Sequence, residues 1–192
     1  MGRVSKAAAA QHREQVVEAA SRLFRERGVQ AVGLSDVMAA VGLTPGGFYK
    51  QFESKQALAA EATSRAFALT NAVLEEVSGR HPGRPDEALQ ELLVTYLSTD
   101  NRDNRADGCA ATALAAESSH EPLDSQVRTA YADGLAGFID LLTGFTPGET
   151  TRSERIAMAC TLVGALSLAR AAAGTPLSDE ILHSARAHLT PK

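Results

Sequence analysis

The sequence LSDVMAAVGLTPGGFYKQFESK, residues 34–55, contains two short helical patterns separated by a tight turn. Apolar residues recur at helical spacing in the first pattern, at Leu34, Val37, Met38 and Val41. Gly42 closes that pattern. Thr44 opens the next as an N-cap, with Pro45 at the first helical position, where its missing N–H costs nothing. Two short helices joined by a glycine turn predict a helix-turn-helix, which places its second helix in the major groove of DNA.

Helical patterns continue on both sides of this unit. Upstream, an amphipathic stripe covers about residues 11–27 and ends at Gly28. Downstream, Ser54 is a candidate N-cap, and the apolar stripe behind it reaches about Ser78, which corresponds to roughly 37 Å of helix. Because a helix of that length extends beyond a three-helix unit, we expect it to link the N-terminal part of the chain to the remainder.

The remainder of the sequence predicts further helices and no strand. The expected helices cover about residues 86–98, 108–118, 122–145, 153–173 and 178–189, with a polar loop at 98–107. Thr151 and Glu154 form the pattern of a capping box, and Ser178 is a candidate N-cap of the last helix. The chain is therefore predicted to be all-α, with about nine helices.

The composition is compatible with DNA binding once the charge is divided along the chain. Apolar residues make up 44%, aromatic residues 5%, and tryptophan is absent, which is typical of an alanine- and leucine-rich helical protein. The net charge of −4 divides into +3 for residues 1–60 and −7 for residues 61–192. This division favours a mildly basic N-terminal module on an acidic body, although solvated surface charge alone can give a difference of this size.

Several classes of protein are disfavoured by the sequence. No run approaches roughly 18 consecutive apolar residues, and the N-terminus lacks the apolar run of a signal peptide, so we expect a soluble, cytoplasmic protein with no membrane partner. Cys109 and Cys160 belong to no CxxC pair and the histidines are scattered, so neither a metal site nor a cofactor is expected. An enzyme or small-molecule carrier is the rival class, and it lacks a Ser/His/Asp cluster or a phosphate loop to support it.

The residues in and after the second short helix carry groups suited to DNA: Thr44, Gly46, Gly47, Tyr49, Lys50, Gln51 and Lys55. The threonine and the glycines keep the helix slim enough to approach phosphates and base edges, and the next three residues supply a hydroxyl, a charge and an amide. Lys55 lies near the positive end of the following helix, which stability alone does not favour but a nearby phosphate explains. The alternatives are a core role for Tyr49 and plain solvation for the two lysines, whereas Phe48 and Phe52 are predicted to be buried.

The stretch from Val16 to Leu58 closely resembles the DNA-binding domain of the TetR family. The matching segments are AASRLFRERG at residues 19–28, DVMAAVGLT at 36–44 and GFYKQFESK at 47–55. The resemblance implies a homodimeric transcriptional regulator, usually a repressor, that a small molecule releases from a palindromic DNA operator.

The resemblance also implies roles for individual residues. It assigns DNA-facing positions of the recognition helix to Thr44, Pro45, Gly46, Gly47, Tyr49, Lys50 and Gln51, and a phosphate contact to Lys55. Gly33 stands where relatives often have a Ser or Thr that contacts phosphate, and Ser35 is a candidate substitute. Gln51 stands where His is common. Because the recognition helix contains no Arg, guanine readout by an Arg fork is absent, and DNA shape is expected to contribute to specificity.

The same resemblance suggests a division of the chain into three parts. These are a basic N-terminal arm at residues 1–10, a helix-turn-helix DNA-binding domain at 11–57 and a helical regulatory and dimerisation domain at 58–192. The last two helices resemble the family's dimer interface, with an intramolecular helix pair as the alternative. Dimerisation would place two recognition helices about 34 Å apart on a pseudo-palindrome.

A ligand-binding site in the regulatory domain is the remaining expectation. Its candidate lining residues are Tyr96, Cys109, Tyr131 and Phe138, for which plain burial in the core is the alternative. Cys109 is also a candidate sensor of oxidants or electrophiles, although its sequence neighbourhood offers no activating group. A DNA-binding protein that responds to no effector is the rival function, and a solidly packed body would favour it.

Overall fold

The computed structural model describes residues 6–146 and 148–191, and every regular element in that part of the chain is a helix. The α-helices are Lys6–Arg27 (α1), Leu34–Ala40 (α2), Lys55–Arg80 (α3), Pro85–Tyr96 (α4), Thr99–Asp103 (α5), Ala110–His120 (α6), Gln126–Leu141 (α7), Arg152–Ala171 (α8) and Pro176–Leu189 (α9). Two 3₁₀ helices cover Pro45–Lys50, which is the predicted recognition helix, and Leu142–Phe145. The predicted all-α class is confirmed.

The first helix begins about five residues earlier than the apolar stripe predicts. It starts at Lys6 and runs through four consecutive alanines at 7–10. Alanine is the best helix former, so the helix extends here without an apolar stripe. Residues 1–5 of the predicted basic arm lie outside the described residues.

The predicted polar loop at 98–107 is wrong in part, because it contains α5. The Ser98 hydroxyl accepts a hydrogen bond from the Asn101 N–H at 3.1 Å and caps this short helix. Arg102 then donates to Ser178 Oγ at 3.0 Å, which ties α5 to α9. A helix of five residues has little stability of its own, so this distant contact decides that it forms.

The predicted N-cap role of Ser178 is also wrong. The last helix begins at Pro176, and Ser178 lies inside its first turn, fully buried. Its hydroxyl donates to the Ala169 carbonyl oxygen at 2.8 Å and so fastens α9 to α8. Ser178 therefore stabilises the contact between α8 and α9 and does not cap a helix.

Two predicted helix starts are confirmed in atomic detail. Ser54 Oγ accepts a hydrogen bond from the Ala57 N–H at 3.0 Å at the start of α3. At the start of α8, Thr151 Oγ1 accepts from the Glu154 N–H at 3.2 Å, and Glu154 Oε2 accepts from the Thr151 N–H at 2.8 Å. The Thr151 N–H and hydroxyl both donate to Glu154 Oε2 at 2.8 Å, and they lower the pKa of that carboxyl because they favour its charged form.

Helix α3 belongs to both halves of the molecule and connects them. It packs against α1 near the DNA-binding part, where Arg65 pairs with Glu18 at 2.6 Å, and against α7 in the body. A Cβ at Gly134 of α7 would lie 2.2 Å from the Phe67 ring of α3, so only glycine permits this close approach. The Phe67 ring also meets the Tyr131 ring edge-on at 5.3 Å.

No helix in the described part of the chain combines the length and the apolar character that crossing a membrane requires.

Candidate nucleic-acid interface

The recognition helix is held in place by a small aromatic core. Phe48 is 1% exposed, and its ring stacks on the buried ring of Phe52 with 5.4 Å between centroids. The Arg13 guanidinium of α1 lies 4.6 Å from the Phe52 centroid, a cation–π contact. The predicted burial of both phenylalanines is confirmed. Because these two side chains face the core, the opposite side of the recognition helix faces outward.

The turn before the recognition helix is closed by the main chain. Gly42 has φ +69°, in the left-handed region that glycine adopts without strain. The Gly42 and Leu43 N–H groups donate to the carbonyl oxygens of Ala39 at 3.0 Å and Met38 at 2.9 Å. These bonds end α2 and set the angle at which the next helix leaves.

The residues predicted to meet DNA differ in exposure. Exposed positions are Ser35, Thr44, Pro45, Gly46, Tyr49 and Lys50; half-buried positions are Gly47, Gln51 and Lys55. Tyr49 is 72% exposed, so it is not a core side chain. The Thr44 hydroxyl makes no capping hydrogen bond although Thr44 occupies the N-cap position, so the group is uncommitted.

Three of the predicted residues have polar groups without a partner among the described residues. Neither Lys50 nor Lys55 forms an ion pair with a described residue, and Lys55 occupies the first turn of α3 beside that helix's positive end. Two cations and a helix N-terminus then lie on consecutive elements, an arrangement that attracts phosphate. Gln51 is half-buried, and its Oε1 has no hydrogen-bond partner in the part of the chain that is described.

Helix α6 connects the body to the DNA-binding part through polar contacts that the sequence did not reveal. Glu117 Oε2 accepts from the Val29 N–H at 2.6 Å, just beyond the end of α1. Gln56 Nε2 donates to Glu121 Oε1 at 3.2 Å. Both contacts join residues more than 60 positions apart, so no local pattern signals them.

A cleft of about 820 Å³ lies beside the start of α6, between α3 and α4. Its apolar wall consists of Leu69, Val73, Leu74, Leu92 and Val94. Two of the four candidate ligand-site residues, Tyr96 and Cys109, also line it. The other two candidates are not part of its wall: Phe138 is fully buried in the core, and the Tyr131 hydroxyl donates to the Ala111 carbonyl oxygen at 2.9 Å.

The phenol groups of Tyr96, in the cleft wall, and of Tyr131, outside it, are both uncharged. The Tyr96 hydroxyl donates to Cys109 Sγ at 2.9 Å, and burial raises the pKa of Tyr96 well above its usual value. Burial also raises the pKa of Tyr131 to about 12. Both phenols are therefore neutral at physiological pH. Among the described residues, no group of three or more His, Cys, Asp or Glu side chains is placed to hold a metal ion.

One face of α8 and α9 exposes apolar side chains to solvent. Ile156, Leu168 and Leu177 are all exposed, and Leu168 is 60% exposed. A Cβ at Gly164, in the middle of α8, would meet no atom within 4 Å. Nothing in the described part of the chain therefore accounts for a glycine that weakens the helix by roughly 1 kcal/mol relative to alanine.

Comparisons with known proteins agree with this geometry. Residues 16–62 match the profile of the family "Bacterial regulatory proteins, tetR family". The chain is 29% identical over 105 residues to the HTH-type transcriptional regulator AcrR of Shigella flexneri, a match that spans 55% of this chain and 49% of AcrR. It is 30% identical over 144 residues to the HTH-type transcriptional repressor BepR of Brucella suis, a match that spans 73% of this chain and 68% of BepR.

Solved structures share the fold over nearly the whole chain. The reduced form of NemR from E. coli superposes with a TM-score of 0.75 at 24% identity, covering 93% of this chain and 95% of NemR. A TetR-family regulator from Cytophaga hutchinsonii gives 0.73 at 20% identity, covering 98% and 96%. The recognition helix is exposed on a helix-turn-helix, and the match to BepR spans more than two thirds of that relative. The chain therefore belongs to the TetR family of DNA-binding transcriptional regulators.

Proposed function

We propose that the protein is a homodimeric repressor that binds a palindromic operator through its recognition helix and is released by a small molecule. The observation that supports DNA binding is the outward side of the recognition helix. Thr44, Tyr49 and Lys50 are exposed there, and the Tyr49 ring packs edge-on against Phe48 at 5.1 Å. Because no Arg lies in this helix, a bidentate fork to guanine is absent. DNA shape therefore carries more of the specificity, while phosphate contacts supply affinity and register.

Replacing Lys55 with alanine is expected to weaken operator binding about fivefold to tenfold and to lower the slope of log K against log salt by about one unit. The reason is the loss of one phosphate contact, with its released counterion. Lys50→Ala is expected to behave similarly. Operator affinity should be measured by fluorescence anisotropy at several salt concentrations.

The matched control is Arg84→Ala, which removes an exposed charge between α3 and α4. It should leave the salt slope unchanged. A wild-type slope for both lysine variants would show that these lysines are merely solvated.

Dimerisation through α8 and α9 is supported by the exposed apolar face of these helices. The face contains Ile156, Leu168 and Leu177, and Gly164 leaves room for another helix backbone to approach closely. Intramolecular packing of α8 on α9 uses other residues, since Leu162, Leu166 and Leu182 are fully buried. The alternative of a purely intramolecular helix pair therefore leaves the apolar face without a role.

Release by a small molecule is supported by the cleft and by its position beside α6. The volume of about 820 Å³ falls within the range of roughly 300–1,000 Å³ of small-molecule sites. Cys109 at the start of α6 lines the cleft, while Glu117 near its end binds the main chain of Val29. A ligand that shifts α6 would therefore change how the DNA-binding part is held. The rival function, a DNA-binding protein that responds to no effector, predicts a solidly packed body. The cleft argues against it.

Filling the mouth of the cleft is expected to abolish the effector response while operator binding persists. Val94 is 51% exposed on the cleft wall, so Val94→Trp should occupy the cavity without disturbing the core. Compounds that raise the melting temperature of the wild type and release it from the operator should bind this variant at least about tenfold more weakly. Leu123→Trp, at an exposed apolar residue outside the cleft, is the control. Equal release of Val94→Trp and the wild type would place the effector elsewhere.

A further inference from the structure

A second, smaller cavity lies where α1, α6 and α8 meet, and its wall is strongly basic. Its volume is about 370 Å³, and the charged residues of its wall are Arg25, Glu26, Arg27, Arg105 and Arg170. Four guanidinium groups and one carboxylate leave a formal surplus of three positive charges. On a chain with net charge −4, such a concentration of one sign requires an explanation.

The single carboxylate does not neutralise the cluster. Glu26 pairs with Arg27 at 3.1 Å, and both side chains are about half exposed. Arg170 donates only to main-chain carbonyl oxygens, those of Asn101 at 3.0 Å and Arg102 at 3.2 Å. Arg105 forms no side-chain hydrogen bond or ion pair among the described residues, which leaves its guanidinium available.

Among the charged residues of this wall, Arg25 gives the strongest argument for a ligand. It is 4% exposed, and its Nε and Nη1 donate to the carbonyl oxygens of Ser21 at 3.1 Å and Gly108 at 3.0 Å. Its Nη2 is buried without a hydrogen-bond partner. A buried donor on a charged group that finds no acceptor costs free energy, so the site is incomplete as it stands.

The nearby carboxylates do not supply the missing acceptor. Asp107 and Glu18 act on Arg25 through space, but they form their ion pairs with Arg22 and Arg65. Burial has the larger effect and lowers the pKa of Arg25, as it does for Arg170. The electrostatics therefore agree with the geometry: the carboxylates present do not balance the positive charge of the pocket.

We propose that this pocket binds a small oxyanion, a molecule that carries a phosphate group or several carboxylates, at a site that adjoins the effector cleft and shares only Arg25 with its wall. Planar guanidinium groups bind both kinds of oxyanion through paired N–H donors. The volume lies near the lower end of the range for small-molecule sites, roughly 300–1,000 Å³, which limits the ligand to a compact one. Since its walls come from α1, α6 and α8, a bound anion joins the DNA-binding part to one of the two helices assigned to dimerisation.

Calorimetric titration of the full chain in chloride buffer, at constant ionic strength, tests this site with two probes: inorganic phosphate and citrate. At least one probe is expected to bind saturably with one site per chain. Arg105→Gln removes an exposed guanidinium without a partner and should weaken that binding about tenfold while the melting temperature stays unchanged. Arg84→Gln, an exposed arginine between α3 and α4, is the matched control and should bind like the wild type.

The outcomes separate the ligand classes. Saturable binding of phosphate alone assigns a phosphate-bearing ligand, and binding of citrate alone assigns a polycarboxylate. The proposal is overturned if neither anion binds saturably, if Arg105→Gln binds as tightly as the wild type, or if Arg84→Gln loses as much affinity as Arg105→Gln.

Discussion

Replacing Phe48 with alanine is expected to lower the free energy of unfolding by about 3–5 kcal/mol and to abolish operator binding. The side chain is 1% exposed, and it stacks on Phe52 beneath the recognition helix. That helix has six residues in 3₁₀ geometry, too few to be stable without tertiary contacts. Losing the anchor should therefore release the DNA-contacting residues from their arrangement. Urea unfolding followed by circular dichroism, together with operator anisotropy, measures both effects.

A variant of the neighbouring residue, Tyr49, distinguishes a loss of folding stability from a loss of DNA contact. Tyr49→Ala removes a side chain that is largely exposed, so the free energy of unfolding should stay within about 0.5 kcal/mol of the wild type while operator affinity falls. Wild-type unfolding of Phe48→Ala would contradict the assignment of Phe48 as the anchor. Unchanged operator affinity of Tyr49→Ala would remove Tyr49 from the interface.

The parts of the fold that follow from local chemistry were predictable from the sequence. Ser54 and the Thr151–Glu154 pair are N-cap signals whose partners lie within three residues, and both helices begin where these signals predict. The burial of Phe48 and the exposure of Tyr49 follow from a spacing that leaves one side of a short helix facing the core. Most of the candidate DNA interface rests on such short-range features.

The rest depends on contacts between distant residues, which no local pattern contains. Periodicity indicated that Tyr131 and Phe138 are on the inner face of α7, but it does not distinguish a residue of a cavity wall from a residue of the solid core. The close packing of Gly134 on Phe67 decides how α3 and α7 meet, and it joins two positions far apart in sequence. Arg25 is buried against the Gly108 carbonyl oxygen, 83 positions away, and no local pattern distinguishes it from an exposed charge on the same helix.

Leu168→Glu is expected to convert the proposed dimer into a monomer at micromolar concentration and to weaken binding to a palindromic operator about hundredfold or more. Placing a charge in an apolar interface leaves that charge desolvated and unpaired. A second recognition helix on the same particle binds its half-site as an intramolecular step, which contributes a factor of about 10²–10⁴. Because Leu168 is 60% exposed in the protomer, the melting temperature of the isolated chain should change little.

Two comparisons show whether the loss of operator affinity in Leu168→Glu arises from the loss of dimerisation. Leu123 is also exposed and apolar but lies between α6 and α7, so Leu123→Glu should remain dimeric and keep full operator affinity. A DNA duplex that contains a single half-site should bind the Leu168→Glu chain and the wild-type protomer with similar affinity, because the recognition helix is intact in both. Sedimentation measures the association state directly. A wild-type chain that sediments as a monomer, or a Leu168→Glu chain that stays dimeric, would show that this face of α8 does not join two subunits, and the exposed leucine would then require another partner.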